Sequence, residues 1–213
     1  MMEQVKIKQI KIIQQRADVR LSNGMQMFFS TDIVTEYQLV EGIILTQSQL
    51  EILSAEAELY QCQMKAKNCL AMREHSSGEL YQKLKKKRFS KEVIDKVIRL
   101  LERHGFINNE RYALNLAERL IERKPCGRSY LMAHLQQKMI PREIVEKTAH
   151  LIFDSADLDC LAEKALEKKW YMYQDLELED AKNKSYNYLA RRGFSFQTAQ
   201  TAFEKLSRLK EED

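Results

Sequence analysis

One apolar pattern occurs three times in this chain, and that repetition limits the fold more than any single motif does. Its clearest copy is Ser76–Phe106. Ser76 followed by Glu79 forms a capping box, which starts a helix with Leu80, Tyr81 and Leu84 on one face. Phe89 closes a turn and Ser90 is placed to cap the next helix, lined by Val93, Ile94, Val97, Leu100 and Leu101. Gly105 falls where a left-handed C-cap belongs, with Phe106 expected to pack back near Leu101. In Ser129–Phe153, Leu131 and Leu135 take the places of Leu80 and Leu84. Ile140 replaces Phe89 and Pro141 takes the first-turn position. Ile144, Val145, Thr148 and Ile152 follow at the same steps. In Ser185–Leu206 the series is Leu189, Phe194, Ser195, Thr198, Ala199, Ala202, Phe203 and Leu206. Leu84 and Leu135 are 51 positions apart, Leu135 and Leu189 54. Fixed anchor spacing at a period of this length predicts tandem structural repeats.

Each copy is preceded by a further helix, so the unit has three. Thr46 and Gln49 form a second capping box, opening a long helix to about His75 with Leu59, Cys62, Ala66, Cys69 and Leu70 on one side. Asn108 or Asn109 caps the helix carrying Tyr112, Ala113, Leu116, Leu120 and Ile121, which Pro125 and Gly127 end. Near Asp157 a third such helix begins, with Leu158, Leu161, Ala162, Ala165, Leu166 and Trp170. A three-helix unit of this size buries little surface alone, and stacking units along a line covers each exposed flank. The first residues differ. Ala17, Val19 and Leu21 alternate with polar partners, as do Met25, Met27 and Phe29, and Asn23-Gly24 between them is a hairpin signal. Val5–Ile13 supplies a third strand, and Thr31 or Asp32 caps a short helix through Tyr37 that Gly42 breaks.

The predicted fold class is therefore mainly α: three tandem three-helix repeats in an elongated curved array, after a small N-terminal β-hairpin or three-stranded sheet. The expected boundaries are 1–45 for the β-rich extension and 46–106, 107–154 and 155–213 for the repeats, with a frayed tail over Lys210–Asp213. Only 6 Gly and 2 Pro interrupt the chain, which favours helices. Charged residues at 31% suit helices with solvated faces.

Chemistry-bearing residues are sparse. Cys62, Cys69, Cys126 and Cys160 form no C-x-x-C pair, and His75, His104, His134 and His150 stand singly, which points to core thiols and to no metal site. The chain lacks a phosphate loop, a G-x-S-x-G elbow and an H-E-x-x-H helix, so no enzyme activity and no cofactor are expected. The start M-M-E-Q-V-K-I-K has no apolar signal region, and no run is long enough to span a membrane. Both predict a cytoplasmic protein. Net charge is +4, which permits an anionic partner. Basic residues cluster at Lys83, Lys85, Lys86, Lys87 and Arg88, at Arg119, Arg123, Lys124 and Arg128, and at Arg191 and Arg192. These clusters are candidate contacts for phosphate or for acidic protein surface. All fall near helix C-termini, where the dipole favours cations without any ligand, so both readings stand. Trp170, Tyr171 and Tyr173 offer stacking faces, although Trp170 continues the apolar period of a core. The acidic run Asp175–Asp180 begins a helix.

With the repeats laid out, the chain resembles the RecX family of recombinase regulators from about Glu56 to Leu206. The resemblance is carried by Arg73-x-x-Ser76-x-x-Glu79-Leu80-x-x-x-Leu84-x-x-Lys87, by Gly105-Phe106-Ile107-Asn108-Asn109-Glu110-Arg111-Tyr112-Ala113, by Gly127-x-x-x-Leu131-x-x-x-Leu135-x-x-Lys138-x-Ile140, and by Tyr188-Leu189-Ala190-Arg191-Arg192-Gly193-Phe194-Ser195. Arg88 and Met139 stand where the family usually has Gly, and Asn108-Asn109 replaces its usual acidic pair. The resemblance implies a monomeric, non-enzymatic protein that binds the RecA recombinase filament on single-stranded DNA. It further implies inhibition of filament growth, strand exchange and ATP hydrolysis, damping recombination and the SOS response, with direct contact to single-stranded DNA a further expectation. The residues alone leave two alternatives open: a helical-repeat DNA-binding module, or an adaptor with a different protein partner.

Overall fold

The computed structural model describes residues 5–154 and 156–211, with side chains described to residue 208. The start Met1–Gln4 and the last two residues of the expected frayed tail lie outside the described residues. Lys210 and Glu211, expected to fray, continue a helix. The protein is mainly helical, with ten helices and a small antiparallel sheet of four strands among the described residues.

The strands are β1 (Val5–Ile13), β2 (Arg16–Leu21), β3 (Gln26–Ser30) and β4 (Ile44–Leu45), in the order β3-β2-β1-β4. Asn23-Gly24 does turn the β2–β3 hairpin: Gly24 has φ +85° and the Asn23 side chain accepts from the Met25 N–H. The fourth strand is an addition to the three expected. It pairs Leu45 with Val5 and Ile44 with Lys6, too short a run to show alternation in the sequence. Helix α1 (Thr31–Glu36) has Ser30 at its N-cap position, without a side-chain cap bond, in place of the expected Thr31 or Asp32.

Helix α2 (Gln47–Met72) opens on the Thr46–Gln49 capping box and ends three residues short of His75. It serves two cores. Leu53 and Ala57 join Ile7, Val19, Leu21, Met27, Phe29, Leu39 and Leu45 beneath the sheet. Cys62 and Ala66, further along, pack with α3 (Ser77–Lys85) and α4 (Lys91–Arg103) through Leu80, Leu84, Val93, Ile94, Val97, Ile98 and Leu101. One rigid helix therefore joins the sheet to the first triplet. Helices α5 (Asn109–Arg123), α6 (Arg128–Gln137) and α7 (Arg142–Phe153) enclose Tyr112, Ala113, Ala117, Cys126, Leu131, Leu135, Ile140 and Val145. Helices α8 (Leu158–Trp170), α9 (Leu178–Arg191) and α10 (Phe196–Glu211) enclose Ala162, Ala165, Leu166, Leu189, Phe194, Ala199, Ala202, Phe203 and Leu206. The chain divides into two compact units: residues up to Glu74 with Leu80–Ile107, and His75–Glu79 with Asn108 onward.

Several local expectations are corrected. Ser90 occupies the N-cap of α4 but makes no side-chain cap bond, and its N–H donates to the Glu58 carboxylate at 2.7 Å. Gly105 is left-handed at φ +71°, yet Phe106 points to solvent. What returns to Leu101 is the Phe106 N–H, bonded to the Leu101 carbonyl at 2.9 Å, while Ile107 fills the core. Asn108 caps α5, and Asp157 caps α8 by accepting from the Cys160 N–H. Cys62 lies buried in the first core, where burial and the nearby Glu58 charge push its thiol up to about 12.

Trp170 packs edge-on against Phe203 in the third core, which withdraws it from base stacking, whereas Tyr171 is exposed. Ser185 sits at the α9 step where α3 and α6 carry Leu80 and Leu131, and its buried hydroxyl has no hydrogen-bond partner among the described residues. A buried unpaired hydroxyl costs about 1–3 kcal/mol. Ser185→Ala is therefore expected to raise unfolding free energy by about 1 kcal/mol in urea titration, and a loss of stability would show that the hydroxyl is satisfied.

Candidate interaction surface

The three basic clusters do not occupy equivalent places. Those of α3 and α9 end the second helices of their triplets, whereas Arg119, Arg123 and Lys124 end α5, a first helix, and Arg128, expected near a helix C-terminus, begins α6. They also differ in what their side chains touch. On α3, the last turn and the link to α4 carry Lys83, Lys85, Lys86, Lys87 and Arg88, all exposed. Their backbone closes the helix end, with the Lys86, Lys87 and Arg88 N–H groups bonded to Gln82, Leu84 and Lys85 carbonyls. None of the five side chains makes an ion pair among the described residues. Arg88 is left-handed at φ +67°, which explains why Gly suits that position. Arg there costs about 1–2 kcal/mol of backbone energy.

In the second unit, Arg119, Arg123, Lys124, Arg128 and Arg191 are exposed. The Arg119 Nε is engaged with the Asn115 carbonyl at 3.0 Å. Lys168, which the sequence patterns did not single out, donates its Nζ to the Arg123 carbonyl at 2.9 Å and so neutralises the end of α5. Lys168 thus lies beside Arg123, and only the tertiary fold brings it there.

Arg192 behaves differently. Its Nη2 donates to the Pro125 carbonyl at 2.9 Å, and its guanidinium lies 5.1 Å from the Tyr130 ring centroid. This contact belongs to a junction that occurs twice in the second unit. In one, the Ser76 hydroxyl donates to the Lys138 carbonyl, and Lys138 Nζ lies 3.9 Å from Glu79, which also accepts from the Tyr112 hydroxyl. Asn109, the second of the two cap candidates, reaches back to the Ser77 N–H and hydroxyl. In the other, the Gly127 N–H donates to the Arg192 carbonyl at 2.8 Å. Lys138 and Arg192 are equivalent residues, and so are Glu79 and Tyr130, so a cation–carboxylate pair in one junction becomes a cation–ring pair in the next.

Both junctions require close backbone approach. A Cβ on Gly78 would meet the Met139 carbonyl oxygen at 2.4 Å, and one on Gly127 the Gly193 carbonyl oxygen at 2.0 Å. Met139 is left-handed at φ +52° and Gly193 at +81°. At Gly193 a side chain would also strike Ser129 and Tyr130, so glycine is needed there for space as well as for conformation.

Fold and surface together define a protein of three-helix domains with exposed cationic helix ends. No helix among the described residues is long and apolar enough to cross a membrane. Residues 63–101 match the model of the RecX first three-helix domain, and residues 159–203 that of the RecX third three-helix domain. The regulatory protein RecX of Pelodictyon phaeoclathratiforme is 32% identical over 137 residues, covering 64% of this chain and 83% of that protein. That of Clostridium tetani is 25% identical over 205 residues, covering 94% and 93%. A crystal structure of regulatory protein RecX superposes with a TM-score of 0.73 at 18% identity, covering 94% of this chain and 99% of that one. The RecX structure from Lactobacillus salivarius gives 0.61 at 21% identity, over 70% and 96%. The chain belongs to the RecX family of regulatory proteins.

Two substitutions test the geometry. Gly127→Ala is expected to cost more than about 2 kcal/mol, since a backbone carbonyl has to move, as read by thermal or urea unfolding. Arg88→Gly relieves a left-handed residue and is expected to gain about 1 kcal/mol in the same assay.

Proposed function

We propose that this protein is a non-enzymatic negative regulator of the RecA recombinase in the cytoplasm. It binds the RecA filament on single-stranded DNA, inhibits filament growth, strand exchange and ATP hydrolysis, and thereby damps recombination and the SOS response. Membership of a family of regulatory proteins supports the class, and the resemblance of its motifs to recombinase regulators supports the partner. The observation that carries the contact surface is the α3 run: five exposed cations with no acid to neutralise them among the described residues. A helix C-terminus stabilises cations in its last turn by about 0.3–1 kcal/mol, which accounts for one or two of them. Five adjacent like charges repel, and an anionic partner relieves that repulsion.

Arg123, Lys124, Arg128 and Arg191 extend the contact set within the second unit. Arg192 acts there by holding Pro125 and Tyr130 rather than by touching the partner. Division of the chain into a sheet-bearing extension and three triplets is part of the same reading, each triplet offering one basic helix end.

The test adds purified protein at stoichiometric amounts to RecA on single-stranded DNA and follows ATP hydrolysis and strand exchange. Both are expected to fall. Lys86→Glu combined with Arg88→Glu is expected to weaken inhibition at least tenfold while helical circular dichroism is preserved. Unaltered RecA activity with the parent protein overturns the function, and full inhibition by the double variant removes the α3 run from the interface.

A further inference from the structure

Charge is distributed unevenly along this chain. Val5–Ser30 contains Lys6, Lys8, Lys11, Arg16 and Arg20 against one acid, Asp18. That surplus equals the formal net charge of the whole chain, +4, so the rest of the sequence balances to zero. The strands then sort these residues by face. Ile7, Ala17, Val19, Leu21, Met27 and Phe29 are buried, most of them against α2. The register places Gln9, Arg20 and Gln26 in one row across the opposite face and Lys11, Asp18 and Phe28 in the next. The irregularity between Ile7 and Gln9 adds Lys8 beside them.

All five cations are exposed, and none makes an ion pair among the described residues. The nearby carboxylates are held by neutral donors instead. Asp18 accepts from the Gln26 amide at 2.7 and 2.6 Å, and Glu41 accepts from the Ile10 N–H at 2.9 Å. Arg16 lies 4.7 Å from the centroid of half-buried Phe28, so a ring with a cation against it stands within the basic face. Lys8, Arg20 and Gln26 line an open depression of about 620 Å³.

We propose that this outer face of the N-terminal sheet binds single-stranded nucleic acid, with phosphates on Lys8, Lys11 and Arg20 and a base stacked at Phe28 beside Arg16. Cations that track a backbone and an aromatic that takes a base are the two parts such a surface needs. A duplex offers no free base face to Phe28, and an acidic protein segment would be satisfied by the cations alone. The site is separate from the α3 run, and its binding is measured without RecA.

The experiment is fluorescence anisotropy of a labelled oligothymidine with the full chain across a salt series. Lys8→Gln, Lys11→Gln and Arg20→Gln together are expected to weaken binding at least tenfold and to lower the slope of log affinity against log salt by about 2, since each phosphate contact on a single strand contributes about 0.7. Phe28→Leu is expected to weaken binding at least fivefold with the slope unchanged, and Phe28→Trp to restore it. Thermal unfolding of each variant confirms that the sheet is intact, and the Trp variant keeps the stacking test decisive if Leu disturbs it. Parent-like binding by the triple variant overturns the proposal. So does tighter binding of the parent to duplex, to polyglutamate or to anionic vesicles than to the oligonucleotide. Loss of binding only when Lys83, Lys85 and Lys87 are neutralised also overturns it, because the site then lies on α3. Inhibition of RecA that survives in the triple variant leaves the proposed function standing whichever way the sheet result falls.

Discussion

Twice in the second unit, a left-handed residue turns a backbone carbonyl toward the first turn of another helix. Met139 brings its turn to Ser76 and Gly78, and Gly193 brings its turn to Gly127. A helix start has unpaired N–H groups and a helix end has unpaired carbonyls, so each supplies what the other lacks. The contact is small and made of backbone, which leaves no room for a side chain at Gly78 or Gly127. Leucines fill the triplets, but leucines alone would let neighbouring helices slide. A carbonyl bonded to one N–H or one hydroxyl fixes the register between them, and the cations Lys138 and Arg192 reinforce it from the rim.

This arrangement was partly visible in the sequence. Leu80, Leu84, Leu131, Leu135 and Leu189 sit at fixed steps because a buried helix face has to recur every turn, and all five are fully buried. Asn23-Gly24 was readable because a tight hairpin needs positive φ. Asn108 was readable as one of two cap candidates because a short acceptor beside an unpaired N–H has few other uses, and the start near Asp157 was readable although its cap was not singled out. The expected side-chain cap by Ser90 is not made: Ser90 holds the N-cap position without such a bond, and its N–H is taken by Glu58 on α2, far away in sequence and outside any local pattern. Phe106 misled for a similar reason. A left-handed C-cap dictates where the backbone goes, and the apolar contact was made by the next residue, Ile107.

The basic clusters show the same division. Sequence alone gives three groups of cations at helix ends, all explicable by the dipole. Coordinates separate them by what remains free. Arg192 is engaged with a carbonyl and a ring, Arg119 with its own helix, and Lys138 with Glu79. Lys87, equivalent to Lys138 and Arg192, has no such partner, and neither do its four basic neighbours. The repeat position that locks a junction in the second and third copies is therefore left open to solvent in the first.

Arg88 sharpens that contrast. Left-handed positions recur at the helix-to-turn step of all three copies, as Arg88, Met139 and Gly193. Glycine at 193 is forced by contact, since Ser129 and Tyr130 would strike any Cβ, whereas Met139 finds space beside Gly78. Neither consideration applies to Arg88, which is exposed and contributes to no described core. Its backbone conformation costs stability that glycine would not, and its side chain returns none of it through an ion pair or a described hydrogen bond. What the arginine adds to the folded protein is one more positive charge after Lys83, Lys85, Lys86 and Lys87. Charge with no internal partner, placed where the backbone disfavours it, is not accounted for by the stability of the fold.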